Sequence, residues 1–379
     1  MDLKECREKI DEINNEMLRL FCERMKVSRS VAEYKAANGL PILNKARERD
    51  IIYEMTEKAD EGMENYVKTF YNVIMDLSRA YQGKLMNRES GIAEQIEKYR
   101  QNAVGDFPAR ATVACQGVEG AYSQIACEKL FNTVKIRYYR SFREVFEAVR
   151  DGECEFGLLP IENSTHGTVS EVYDLMSSFS FSVTKSIKLR VDHCLLAKSG
   201  TALADIRRVV SHSQAIGQCS NFLQEHEEII AEARANTAVA AKEVADSADR
   251  DIAAIASPAC AELYGLERIA DGIQNNPHNY TRFICISREG RIYPGANKIS
   301  LMLTLPHVPG SLYTVLAKFN AVGLNLTKLE SRPIEGSDFE ACFYFDFEGS
   351  PFDPAVIALL EELNASCDRF VFLGGYTEK

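Results

Sequence analysis

The sequence lacks most of the features that would place a chain in a membrane, at a metal or on a nucleic acid. Nowhere in its 379 residues do 18 apolar residues follow one another without a charge or a turn, and the stretch "MDLKECREK" is charged from its first few positions. Neither a signal peptide nor a membrane span is expected, and the expected location is cytoplasmic. The eleven cysteines are scattered singly, with no C-x-x-C pair. That spacing gives no paired ligands for a zinc or redox site and predicts buried cytosolic thiols. No metal constellation appears. "GVEGAY" lacks the G-x-G-x-x-G and G-K-[ST] spacings of dinucleotide and phosphate loops. Positive charge is not in excess, because the formal net charge is -11. A nucleic acid or an anionic membrane is therefore not expected as the main partner, and any anionic small ligand has to be met by a local cationic pocket.

What remains is an ordinary globular composition, 46% hydrophobic and 26% charged, long enough for two or three domains with cores of their own. No repeat or low-complexity tract interrupts it. The first 90 residues hold 33 charges against 66 in the remaining 289, so the composition shifts at that boundary. Pro41 is the only proline of this segment, and Ile10, Ile13, Met17, Leu20, Met25, Val27 and Val31 recur at three- and four-residue steps. The pattern predicts a long amphipathic helix ending near Asn38-Gly39, ahead of Pro41. Two further helices are expected over about 46–59 and 65–86. Three helices are too few to bury so long a helix alone, and dimerisation is the expected remedy.

At about 100° per residue, Arg24 and Lys35 lie about 20° apart on one helix face, with about 16 Å of rise between them. Long side chains from both ends can close on one small dianion. Arg7 projects about 100° away and can serve that site only from a partner helix. Ser78 and Gln82, at i and i+4, offer a polar pair on one face of the third helix. Charges on amphipathic helices are otherwise a solvated face.

From about residue 110, short apolar runs alternate with helical patterns. "ATVACQG", "VKIRYY", "FGLLPI", "RRVVSHS", "DIAAIA" and "TRFICIS" are expected as strands of an open α/β sheet. The run Phe181–Lys198 is expected as paired strands crossing between two lobes, which would leave a cleft. The last 80 residues predict strand (Lys298 to Leu305), helix (Gly310 to Ala321), strands (Asn325 to Arg332 and Phe339 to Phe347), helix (Asp353 to Leu363) and strand (Asp368 to Leu373). That is the split βαβ, ferredoxin-like order.

Polar groups gather at the predicted strand ends, where ligands of open α/β sheets bind. Glu162, Asn163, Ser164 and Thr165 follow one strand; Ser211 ends another, with Gln218 in the next helix. Asn236 and Thr237 start a helix, where free N–H groups favour an anion but where such residues also serve as plain caps. His166, His212 and His278 are expected as turn or packing residues. In "NYTRFICI", Thr281 and Arg282 point to opposite faces of a regular strand.

"CREKIDEINNEMLRLFCERMKVSRSVAEYK", with "PILNKARERD" and "DLSRAYQ", resembles the all-helical chorismate mutase domain. The resemblance implies that Arg7 (from a partner subunit), Arg24 and Arg47 bind carboxylates. It also implies that Lys35 and Gln82 contact the ether oxygen and that Glu48 and Ser78 lie at the ring hydroxyl or its surroundings. Asn44 stands where that family usually has aspartate, keeping an acceptor but losing a charge. "GVEGAYSQIA", "LLPIENSTHGTV", "VVSHSQAIGQC", "NTAVAA" and "NYTRF" look like the prephenate dehydratase domain, in its order. There the threonine of T-R-F, here Thr281, is implied as the acid and Arg282 as a holder of a carboxylate. Glu162, Asn163, Ser164, Ser211 and Gln218 are implied to line the site, with Thr165 nearby.

"HVPGSLYTVLAKF" and "LTKLESRPIEGSDFEACFYFDF" look like the ACT regulatory domain. They imply a phenylalanine site at Gly310, Ser311 and Leu312 and at Glu330, Ser331 and Arg332, with Ser311 replacing the usual alanine. The expected architecture is an all-α mutase domain (1–90), a linker (91–108), a two-lobed, periplasmic-binding-protein-like α/β dehydratase domain (109–290) and an α+β ACT domain (296–379). The family implied is the bifunctional chorismate mutase/prephenate dehydratases, whose reactions need no cofactor, with L-phenylalanine as effector and a homodimer or homotetramer as the assembly. Arogenate as second substrate, or a sensor without turnover, are the rival expectations.

Overall fold

The computed structural model describes residues 2–85, 91–307, 309–334 and 341–379. Four helices come first: α1 (Leu3–Ala37), α2 (Lys45–Glu57), α3 (Glu64–Leu85) and α4 (Ile92–Asn102). Strands and helices then alternate through β1 (Arg110–Gln116), α5 (Tyr122–Leu130), β2 (Thr133–Tyr139), α6 (Phe142–Arg150), β3 (Phe156–Asn163), β4 (Gly167–Thr168) and α7 (Ser170–Ser178). Next are β5 (Ser182–Arg190), β6 (Cys194–Ala197), β7 (Arg208–His212), α8 (Ser213–Gln218), α9 (Ser220–Gln224), β8 (Ile230–Arg234) and α10 (Thr237–Asp246). They are followed by β9 (Ile252–Ala256), α11 (Pro258–Tyr264), β10 (Glu267–Ala270) and β11 (Tyr280–Ser287). The chain closes with β12 (Lys298–Thr304), α12 (Ser311–Ala321), β13 (Leu326–Pro333), β14 (Ala341–Glu348), α13 (Pro354–Ser366) and β15 (Arg369–Glu378). Among the described residues no helix is long and apolar enough to cross a membrane. All eleven cysteines are free thiols and eight are buried.

The chain divides into two compact units, Met1–Glu94 with Leu303–Asn325 and Phe352–Phe370, and Gln95–Met302 with Leu326–Pro351 and Val371–Lys379. In the first unit α1 and α2 both pack on α3. A capping box between Asp2 and Glu5 opens α1, and Asn38 and Gly39 close it, the glycine in the left-handed region at φ 63°. Only Ser28 and Ala32 of α1 are buried, while Ile10, Ile13, Met17, Leu20, Val27 and Val31 of its apolar stripe are exposed. The expected amphipathic helix is present, with most of that stripe uncovered within one chain. Helices α12 and α13 belong to this unit, and Thr314 on α12 donates a hydrogen bond to Asp76 Oδ2 on α3 at 3.0 Å.

The second unit holds two sheets. The larger runs β13-β14-β12-β15-β5-β11-β3-β1-β2, with β4 on β3; the smaller runs β10-β6-β9-β7-β8. The β12–β15 segment has βαββαβ element order, and its strands lie second-third-first-fourth in the sheet, the split βαβ arrangement. Residues Phe181–Lys198 do not form the expected mutual pair. β5 lies between β11 and β15, whereas β6 lies between β9 and β10. No glycine or proline turn separates them, so the chain continues extended through Val191–His193 from one sheet to the other instead of folding back. A second crossing runs beside it: Val191 N–H donates to Asn279 O at 2.8 Å and Ile273 N–H to His193 O at 3.1 Å. The expected linker is partly helix α4, whose end is tied down by Asn102 Nδ2 donating to Gly290 O and Ile292 N–H donating to Tyr99 O.

Gly374 lets β15 lie against β5. Its φ is +151° and a Cβ there would sit 2.2 Å from the Val183 carbonyl oxygen. That oxygen is backbone and cannot swing away. Gly374→Ala is expected to destabilise the protein by about 1–3 kcal/mol, read as a lower urea midpoint with an unchanged slope.

Candidate functional sites

Helices α1 and α3 are joined by two polar rungs. Arg24 donates to Ser78 Oγ and, at 3.5 Å, to Ile74 O. Lys35 Nζ donates to Gln82 Oε1 at 3.3 Å and to Ile42 O at 2.5 Å. Ser78 and Gln82 are buried, so four of the residues singled out in the sequence meet on one helix pair. The partners of both cations are neutral oxygens, and burial pushes the Arg24 guanidinium below its ordinary pKa. A partly buried cation without a carboxylate is a ready receptor for an anionic ligand. Glu48 instead faces Arg79, which also pairs with Asp76. Asn44 caps α2, its Oδ1 accepting from Arg47 N–H at 3.1 Å. The amide oxygen therefore serves as the N-cap of α2. Arg47 and Arg7 are exposed, Arg7 one end of α1 away from the rungs.

In the second unit, antiparallel pairing sets Thr281 opposite Asn163 and Arg282 opposite Glu162. Asn163 Nδ2 donates to Thr281 Oγ1 at 3.0 Å and to Asn279 Oδ1 at 2.8 Å. Its Oδ1 accepts the backbone N–H groups of Thr165 and His166 at 3.0 and 2.9 Å. Both ends of the amide are thus fixed. Because Thr281 accepts from Asn163, its own proton is not spent there, and a donor already faces the oxygen that would be left negative if the proton moved. Beside this pair, Thr165, His166, Gly217, Gln218, Gln274, Asn275, Asn276 and Asn279 line a cleft of about 140 Å³. Gln218 bridges two histidines, its Oε1 2.7 Å from His193 Nε2 and its Nε2 2.9 Å from His166 Nδ1.

Several expected site residues do other work. Ser211 is buried and donates to Ile255 O at 2.5 Å. Ser164 Oγ accepts from Tyr280 N–H at 2.9 Å and donates to His278 O at 3.1 Å, tying two segments together. Asn236 caps α10 and Thr237 opens it. Arg282 is not available to a substrate carboxylate. It is buried, with Asp346 Oδ2 at 2.5 Å and Tyr376 Oη at 2.9 Å. Its Nε lies 2.8 Å from Glu378 Oε2 as an ion pair without hydrogen-bond alignment. Glu162 shares that side, accepting from Lys328 Nζ at 2.9 Å. Strand alternation is the reason: neighbours in sequence point apart, and Asn163 and Thr281 take the other face.

The second half of the expected effector set is also engaged. Thr168 Oγ1 donates to Glu330 Oε2 at 2.7 Å, and Arg332 grips Asp174 with two bonds of 2.8 Å. Ser331 lies on the opposite, exposed side of β13. Gly310, at φ 90°, caps α12, with Ser311 and Leu312 in its first turn; they belong to the first unit and Glu330–Arg332 to the second. Sequence reasoning missed Arg79, His193, Gln274, Asn275, Asn276, Asn279 and Asp346. The polar run "QNNPHN" just before "YTRF" was the available signal for four of them.

Residues 6–83 match the chorismate mutase type II family and residues 113–291 the prephenate dehydratase family. A bifunctional chorismate mutase/prephenate dehydratase of Stutzerimonas stutzeri is 30% identical over 377 residues, 99% of this chain and 97% of its own. Arogenate dehydratase/prephenate dehydratase 2 of Arabidopsis thaliana is 39% identical over 280 residues, 71% of this chain and 73% of its own. The crystal structure of an Arthrobacter aurescens prephenate dehydratase in complex with L-Phe superposes with a TM-score of 0.65 at 29% identity, covering 70% of this chain and 89% of that one. Helices of one enzyme class thus precede a cleft fold of another. The chain belongs to the bifunctional chorismate mutase/prephenate dehydratase family.

The Arg282 cluster gives a pH dependence. Burial alone would raise the Glu378 carboxyl, but the Lys298 hydrogen bond and the Arg282 charge hold it down to about 2 from an ordinary 4.5. A depressed carboxyl stabilises the fold above pH 4.5, and that contribution is lost as pH falls from 4.5 towards 2. Urea midpoints measured from pH 7 to pH 2 are expected to fall less steeply below pH 4.5 in Glu378→Gln than in the parent.

Proposed function

We propose that the chain rearranges chorismate to prephenate and then converts prephenate to phenylpyruvate, in the cytoplasm, as the committed route to phenylalanine. The first step is pericyclic and needs no nucleophile or proton transfer. It needs a compact substrate conformer and positive charge where the breaking C–O bond becomes electron-rich. Arg24 supports the reading as a carboxylate receptor, and Lys35 and Gln82, already hydrogen-bonded to each other, as the pair at the ether oxygen.

In the second step the ring carboxylate leaves as CO2, its bonding pair enters the ring, and the ring hydroxyl departs with one proton as water. The observation that carries this reading is the Asn163-to-Thr281 hydrogen bond, which leaves the Thr281 proton free and its oxygen supported. No cofactor enters either step. Mixing the purified protein with chorismate should yield phenylpyruvate, read by its absorbance in alkali. Thr281→Ala should lose roughly 100-fold or more of the dehydratase rate while the mutase rate persists. Lys35→Met should do the reverse. A sensor without turnover would have no rate to lose in either variant.

The 39% identity to a protein named arogenate dehydratase/prephenate dehydratase favours a second reading, in which arogenate replaces prephenate; rates on the two compounds decide it. L-Phe, present in the Arthrobacter aurescens complex, is the proposed inhibitor here. The uncovered stripe of α1 supports a second copy of the chain as its cover, which would also bring the partner's Arg7 to the mutase site.

A further inference from the structure

We propose that His166 is an additional substrate-binding residue of the dehydratase cleft, donating Nε2–H to a substrate carboxylate, and that Gln218 and His193 are positioning residues that hold it in the donor form. The inference rests on the dehydratase reading of this cleft. The argument starts at His193, which is 2% exposed and sits on the first crossing between the two sheets. Its backbone is pinned on both sides, its N–H donating to Gln274 Oε1 at 2.9 Å and its carbonyl accepting from Ile273. The ring Nδ1 is buried without a partner, so a proton there would be stranded. The single ring proton therefore sits on Nε2 and is given to Gln218 Oε1 at 2.7 Å. Burial works the same way, pushing the His193 pKa down and keeping the ring neutral.

This fixes the Gln218 amide. With its oxygen committed to His193, its Nε2 faces His166 Nδ1 at 2.9 Å and donates to it. Asn163 Oδ1 is also 3.4 Å from that nitrogen, but it already accepts two backbone N–H groups at shorter range. A His166 ring that accepts at Nδ1 carries its proton on Nε2. His166 is exposed and is the one imidazole among the side chains lining the cleft; the others are threonine, glycine and amides. Arg282 and Glu162, the charged residues expected there, face the opposite side. A dianionic substrate therefore meets neutral donors on this wall, and His166 is the donor whose direction the fold has set in advance.

Steady-state kinetics on prephenate test the relay, with the mutase rate of the same chain and the urea midpoint as controls for folding. His166→Phe is expected to raise the dehydratase KM roughly 10-fold or more with kcat within about 3-fold, the size expected for one hydrogen bond to a charged group. His166→Gln, which returns an N–H at the reach of Nε2, should recover most of that loss. His193→Phe should raise KM in the parent and add nothing in the His166→Phe background. An unchanged KM in His166→Phe, or fully multiplicative effects of His166→Phe and His193→Phe, overturns the proposal. Absence of prephenate turnover in the parent protein would instead remove the dehydratase reading beneath it.

Discussion

The register of β11 on β3 is the constraint on which the second unit depends. Pairing Thr281 with Asn163 and Arg282 with Glu162 sorts four adjacent polar residues into two environments. On one face a hydroxyl is held by a neutral amide beside a cleft of amides. On the other, a buried cation is matched by Asp346 and Glu378, and Lys328 neutralises Glu162. A one-residue slip would exchange the two sets. It would put Arg282 into the cleft without a counter-ion and leave Asp346 and Glu378 facing a threonine.

The mutase helices use charge in the opposite way. There Arg24 and Lys35 face neutral oxygens, while Arg79 is matched by Glu48 and Asp76. In the cleft the strong charges are compensated within the protein, and the open surface is neutral. One chain thus contains two partly buried cations facing neutral oxygens on its helices and a cleft lined by neutral hydrogen-bonding groups.

How much of this was legible in the sequence depends on the period of each element. Arg24 and Lys35 could be placed on one face because helical angles accumulate predictably over eleven residues, and Ser78 with Gln82 followed from the same rule. The alternation of β11 was equally legible, and it already set Thr281 against Arg282. Assigning both to one substrate followed the motif instead of the pleat. Glu162 was misplaced for the same reason. Asp346, Tyr376 and Glu378 could not be anticipated as partners of Arg282, since they are 64 to 96 positions away and nothing local marks them. His193 was hidden by chemistry: a neutral buried imidazole within an apolar run reads as packing until its partner is known. Asn44 was read for the charge it lacks, whereas its visible role is that of a cap.

Three consecutive modules are what the sequence leads one to expect, but the two compact units of the folded chain divide at other places. The C-terminal βαββαβ segment gives its helices to the first compact unit and most of its strand residues to the second. Removing residues 296–379 would take α12 and α13 from the helical unit and four strands from the edge of the large sheet.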